Sequence, residues 1–79
     1  MLTRKQVKMA RASLDWTTTD LAREAGITAN TVTRFETGGN VTIDTLAKIK
    51  AAFDRAGVTW VPENGGPAGV RPPRETPTQ

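Results

Sequence analysis

A single glycine between two short amphipathic segments constrains this chain more than any other feature of its sequence. Gly26 follows the segment 17–25 and precedes Ile27 and Thr28. A helix that ends at Gly26 needs a residue that accepts a positive φ, and glycine does so without the steric cost of a Cβ atom. The Thr28 hydroxyl can then accept a hydrogen bond from a free N–H in the first turn of a new helix. The sequence therefore predicts two short helices joined by a tight corner.

Apolar residues recur at helical spacing on both sides of this corner. Leu21, Ala22 and Ala25 form one apolar face before it, and Val32 and Phe35 form another in a helix predicted over residues 29–36. The two alanines allow the helices to cross closely. This pattern predicts a helix-turn-helix whose second helix has the right size for the major groove of DNA.

Two more helices are predicted around this pair. Thr3 and Gln6 have the spacing of a capping box at the start of a helix over 3–14, and Thr42 is a good N-cap for a helix over 43–56. Trp16 is expected to cover the core from the link after the first helix. The core residues predicted from the two outer helices are Val7, Ala10, Leu14, Ile43, Leu46, Ile49 and Phe53. The fold class predicted is all-α, a small bundle of four to five helices.

The C-terminal quarter of the chain has a different character. Residues 58–61 are β-branched and aromatic, and a strand this short needs a partner, either residues 68–71 of the same chain or a second copy. Trp60 is a natural anchor for either partner, since tryptophan is enriched at interface centres. Val58 and Trp60 are the residues expected at a dimer interface. The predicted divisions are a DNA-binding domain over 1–57, an extended segment over 58–71 and a disordered tail over 72–79.

Composition excludes several classes of function. The 79 residues make one small domain without cysteine or histidine, so a disulfide framework, a thiolate metal site and the commonest general base are all excluded. No cofactor, metal or enzymatic activity is expected. Residues 1–57 hold nine basic and six acidic groups, which accounts for the whole net charge of +3 and is compatible with a polyanionic partner. Without an apolar signal core or a membrane-length run, the expected location is the cytoplasm, associated with the nucleoid, with no membrane partner.

The second helix of the corner presents side chains that suit base recognition. Asparagine can pair with adenine, arginine with guanine, and the methyl groups of alanine and threonine can meet a thymine methyl. The residues predicted to contact bases are Ala29, Asn30, Thr33 and Arg34. The residues predicted to contact phosphates are Thr18, Thr19, Thr28, Thr31, Asn40 and Lys8.

Glu36 ends the same helix, where an unpaired carboxylate would repel phosphates. Arg11 on the first helix is its predicted partner, because the edge of that helix should pass near the end of the helix over 29–36. Loss of either partner would leave a partly buried charge unpaired.

The pattern as a whole resembles the lambda-repressor-like helix-turn-helix family of the Cro and Xre type. The matching residues are Leu21-Ala22, Ala25-Gly26-Ile27-Thr28, Val32, Phe35-Glu36 and Gly38, with Ala10-Arg11 and Leu46. The resemblance covers about residues 3–57 and implies a bundle that binds operator DNA, usually as a dimer. It also implies a phosphate contact at Thr18 and a buried Arg11–Glu36 pair. The chain departs from the family pattern at Thr18, where glutamine is usual, and at Asp15, where glycine is usual.

Three functions are compatible with these observations. The first is a repressor-like transcriptional regulator that binds double-stranded DNA at a palindromic operator as a homodimer. The second is an antitoxin, in which the C-terminal segment also binds a toxin. The third is a protein-interaction module without specific DNA binding.

Overall fold

Four α-helices followed by a β-hairpin make up residues 2–61 and 69–71, the part of the chain that the computed structural model describes. The elements are α1 (Arg4–Ser13), α2 (Thr18–Ala25), α3 (Ala29–Glu36), α4 (Ile43–Arg55), β1 (Thr59–Val61) and β2 (Gly69–Arg71). The prediction of a small all-α helix-turn-helix fold is confirmed. The link between the strands and the predicted tail over 72–79 lie outside the described residues.

A threonine caps the N-terminus of every one of these four helices. Thr3, Thr17, Thr28 and Thr42 each accept a hydrogen bond from the backbone N–H three residues later. The first two caps are full capping boxes, in which the side chains of Gln6 and Asp20 accept a hydrogen bond from the backbone N–H of the cap residue. Since these bonds join residues three apart, the helix starts follow from local sequence alone.

The core lies where α1, α2, α3 and α4 meet, with apolar side chains facing inward from each helix. The largest fully buried side chains are those of Phe53, Leu21, Ile49, Val7 and Val32. Trp16 packs on this core as predicted, its ring stacked 5.6 Å from that of Phe53. The prediction for Ile43 is wrong, because its side chain is 76% exposed. Ile43 is the first residue of α4, and the helix extends beyond the core at this end.

The hairpin supplies the strand partner from within the same chain. β1 and β2 pair antiparallel with Trp60 opposite Val70, and β2 lies against α1. Of the two alternatives for residues 58–61, the intramolecular one is therefore confirmed.

Both residues expected at a dimer interface make contacts inside this monomer. Val58 is 5% exposed and belongs to the core, so little of its side chain is left for a partner, and its place at a dimer interface stays a prediction. The half-buried Trp60 ring meets Phe53 edge-on at 5.6 Å, and its indole N–H donates to an Asp54 oxygen at 2.7 Å. A role for Trp60 in a dimer stays a prediction.

Candidate nucleic-acid interface

The corner between α2 and α3 has the geometry that its sequence predicts. Gly26 has a φ of 73°, in the left-handed region, and the Ile27 N–H donates to the Ala22 carbonyl at 2.9 Å to close the end of α2. Thr28 then caps α3, and the two helices pack against each other. The corner thus lets α3 pack against α2, with one face of α3 on the core and the other exposed.

We call the exposed surface formed by Asn30, Thr33 and Arg34 the outer face of α3. Val32 and Phe35, on the opposite side of the helix, are 0% and 5% exposed. Eight residues make a helix about 12 Å long, close to the width of the major groove. Within the described part of the chain, the side chains of Asn30 and Arg34 have no hydrogen-bond partner. Their donors and acceptors are therefore available to a ligand.

Ala29 differs from the other three residues predicted to contact bases. It is half-buried and packs against the core at the start of α3. Its methyl group is therefore only partly accessible to a ligand.

The carboxylate of Glu36 is removed from this surface by an ion pair with Arg11. Arg11 Nε donates to one Glu36 oxygen at 2.7 Å and Nη2 donates to the other at 2.8 Å. The Glu36 side chain is 6% exposed, and the hydrogen bond between the two raises the pKa of Arg11. The third nitrogen of Arg11 donates to the Trp16 carbonyl at 2.9 Å. The predicted pair is thus present, and it leaves no free anion at the end of α3.

The first turn of α2 offers Thr18 and Thr19 to a phosphate. Both residues follow the Thr17 cap. Their backbone N–H groups have no carbonyl partner within the helix, because the first N–H groups of an α-helix have no preceding helical carbonyl to donate to. Asp20 shares this turn, and the hydrogen bond from the Thr17 backbone N–H, aided by Arg23, lowers the pKa of its carboxyl. Arg23 lies 3.0 Å from that carboxylate and offsets its charge.

The first turn of α3 carries two more of the predicted phosphate ligands, Thr28 and Thr31. Their hydroxyl oxygens lie 2.8 Å apart, and the Thr28 hydroxyl also accepts the Thr31 N–H at 3.1 Å. One hydroxyl must donate to the other, so the second keeps a proton that it can give to an anion.

A groove of about 430 Å³ joins α3 to the start of α4. It is lined by Thr31, Arg34, Asn40, Val41, Thr42 and Thr45. The structure therefore brings two predicted phosphate ligands, Thr31 and Asn40, to the same surface as Arg34. Lys8 is separate from this groove, on the exposed surface of α1.

Arg4 has a role at this surface that the sequence patterns do not indicate. The Arg4 guanidinium lies over the Phe35 ring, 5.0 Å from its centroid, and donates to the carbonyls of Gly38 and Gly39 at 3.2 and 3.0 Å. Arg4 is 34 residues from this loop in sequence, so no local signal could identify it. Gly39, by contrast, belongs to a Gly-Gly pair, a sequence pattern that allows the backbone to approach another surface closely.

Comparisons with known proteins bear on these helices directly. Residues 7–60 match a family model described as Helix-turn-helix. The matched residues include α2, the corner, α3 and α4. The comparison with curated proteins found no match. Among the described residues, no helix combines the length and hydropathy that crossing a bilayer requires.

Proposed function

Because the chain belongs to the Cro/C1-type helix-turn-helix family of DNA-binding regulators, we propose that it controls transcription by binding a palindromic operator as a homodimer. The domain that defines this family is regulatory and not enzymatic. The protein acts by occupying its site: α3 enters the major groove, and the outer face of α3 reads the base edges.

The observation that carries this proposal is the state of the outer face of α3. A short helix exposes an amide and a guanidinium that have no partner in the described chain, while its one carboxylate is held by Arg11. An asparagine amide can donate to and accept from adenine, and arginine can donate twice to guanine. A helix face exposed only to water would usually carry more lysine and glutamate.

Phosphate contacts around the outer face of α3 would fix its position in the groove. Thr31 and Asn40 border the groove that Arg34 also lines, so they can reach a phosphate beside the bases that Arg34 reads. Thr18 and Thr19 can hold a second phosphate at the N-terminus of α2. Lys8 supplies a positive charge from α1, and Thr28 adds a hydroxyl beside Thr31.

The small reach of one copy supports a homodimer. An eight-residue helix contacts only a few base pairs, so a single chain has limited specificity. A twofold pair would place two copies of α3 about 34–36 Å apart, one turn of DNA, on a site with matching symmetry.

A selection experiment tests this proposal. The purified protein is incubated with a pool of randomised DNA duplexes at two salt concentrations, and the bound duplexes are sequenced over several rounds. We expect enrichment of a motif with two inverted half-sites, and an affinity that falls as salt rises, because bound phosphates release counterions.

The variant Arg34→Ala, selected in parallel, identifies which positions of the motif depend on α3. Loss of preference at one position in each half-site would support the proposal. Binding without any enriched motif would contradict it and favour the protein-interaction alternative.

A further inference from the structure

Gly39 lies against Arg34 more closely than any other residue type would permit. Its N–H donates to the Arg34 carbonyl at 2.7 Å. An ideal Cβ atom on Gly39 would lie 2.9 Å from that oxygen and 3.2 Å from Arg34 Cδ, and it would overlap Arg34 Cγ. Steric proximity to Arg34 therefore requires glycine here.

The neighbouring glycine shows the contrast. Gly38 has a φ of 107°, so its backbone conformation favours glycine, but an added Cβ would meet nothing within 4 Å. Gly39 is not among the glycines with positive φ. The two glycines thus serve different purposes: Gly38 turns the chain, and Gly39 lets the chain pass beside the Arg34 side chain.

The loop cannot simply move away from Arg34, because it is also held from α1. Arg4 donates to the carbonyls of both glycines and lies over the Phe35 ring. Phe35 is adjacent to Arg34 in α3 and is 5% exposed. The backbone beside the Arg34 methylene groups is therefore fixed to two helices.

We infer that Gly39 is a positioning residue that sets the direction of Arg34 and so contributes to sequence specificity. The loop backbone occupies the space on one side of Arg34 Cγ and Cδ and excludes rotamers that would point that way. A side chain restricted before binding loses less conformational freedom when it meets a base. This inference rests on the proposed role of Arg34 in base reading.

A double-mutant cycle tests the inference with the motif found by selection. The dissociation constant is measured for the preferred duplex and for a duplex changed at the Arg34-dependent base pair. We define the discrimination as the dissociation constant for the changed duplex divided by that for the preferred duplex. Arg34→Ala should reduce it about 5- to 150-fold. Gly39→Ala should reduce it by about threefold or more, because the new methyl group displaces the Arg34 side chain.

The combined variant separates positioning from general damage to the loop. If Gly39 acts through Arg34, then Gly39→Ala should have little further effect on discrimination in the Arg34→Ala background. Gly38→Ala is the matched control: it strains the same loop without touching Arg34, so it should lower the melting temperature and leave the discrimination unchanged. Arg4→Ala keeps Gly39 but removes the hydrogen bonds that hold the loop, so it should also reduce discrimination. This variant replaces Gly39→Ala in the test if Gly39→Ala does not fold.

The possible failures are distinguishable. Wild-type discrimination in both Gly39→Ala and Arg4→Ala, with a loss in Arg34→Ala, would overturn the inference and leave the proposed function standing. An equal effect of Gly39→Ala with and without Arg34 would also overturn it. Unchanged discrimination in Arg34→Ala would overturn base reading by Arg34, and the inference with it.

Discussion

At the scale of single residues, the most important charge for the proposed function is the buried carboxylate of Glu36. Glu36 lies at the end of the helix proposed to enter DNA, yet its side chain is 6% exposed and both oxygens accept hydrogen bonds from Arg11. A buried ion pair is not by itself evidence of high stability, but its partners depend on each other. The pair joins α1 to α3 and keeps an anion away from the phosphates.

Arg11→Ala should lower the free energy of unfolding by about 2–4 kcal/mol, since it leaves the Glu36 carboxylate buried without its partner. Thermal unfolding followed by circular dichroism measures the change. Arg23→Ala removes a pair that is far more exposed and should cost less than about 1 kcal/mol. Equal melting temperatures for the wild type and Arg11→Ala would remove the structural role assigned to this pair.

Two isoleucines on α4 have opposite environments. Ile43 is 76% exposed and Ile49 is 0% exposed. Urea denaturation should therefore show a loss of about 2–5 kcal/mol for Ile49→Ala, which opens a cavity in the core, and of less than about 0.5 kcal/mol for Ile43→Ala. A large loss in Ile43→Ala would mean that its side chain is covered in solution.

At the scale of elements, the local features were predictable. Of the tertiary contacts, the sequence predicted the Arg11–Glu36 pair but not the contact of Arg4 with the loop. The caps at Thr3, Thr28 and Thr42 and the corner at Gly26 depend on bonds between residues close in sequence. The apolar periodicity that placed Ile49 in the core also placed Ile43 there, because periodicity cannot show where a neighbouring element ends.

The candidate site divides in the same way. The exposure of Asn30 and Arg34 follows from the helical spacing of Val32 and Phe35, which face the core. The contact of Arg4 with the loop at Gly38 joins residues 34 apart, which sequence spacing cannot reveal.

The attachment of the hairpin to α4 should depend on pH through Asp54. Burial raises the pKa of this carboxyl, but the hydrogen bonds from Lys50 and Trp60 outweigh that effect, so its pKa lies below the ordinary value of 3.8. A carboxyl whose pKa is lowered on folding stabilises the folded state above its unfolded pKa, and this stability is lost as the pH falls through the folded value.

Trp60→Phe removes one of these hydrogen bonds and keeps an aromatic ring beside Phe53. We expect it to cost about 0.5–1 kcal/mol at neutral pH, a small loss because the carboxylate is partly exposed, and the hydrogen-bond part of this loss should shrink as the pH falls below 3.8. Trp16→Phe, the control, changes the other tryptophan on Phe53 and should have a cost that varies less with pH. The same pH dependence in both variants would contradict the role given to Asp54.

At the scale of the whole molecule, the proposed dimer makes the spacing of half-sites a test. Two recognition helices related by a twofold axis require half-site centres about 10–10.5 base pairs apart. Insertion of about five base pairs between the half-sites would put them on opposite faces of the duplex and should reduce affinity to that of a single half-site. Gel shifts with a series of spacers measure this. An affinity that does not vary with spacing would argue for binding as a monomer.

The proposed function depends most on the claim that the outer face of α3 reads bases. The most direct measurement is the ratio of dissociation constants for the selected operator and a scrambled duplex, for Asn30→Ala, Arg34→Ala and Lys50→Ala. The last variant is a control for Arg34→Ala: it also removes one positive charge, but on α4, where Lys50 pairs with Asp54. Each α3 variant should lose about 1–3 kcal/mol of preference for the operator at an unchanged melting temperature, while Lys50→Ala keeps the full preference. Wild-type ratios in both α3 variants would contradict the claim.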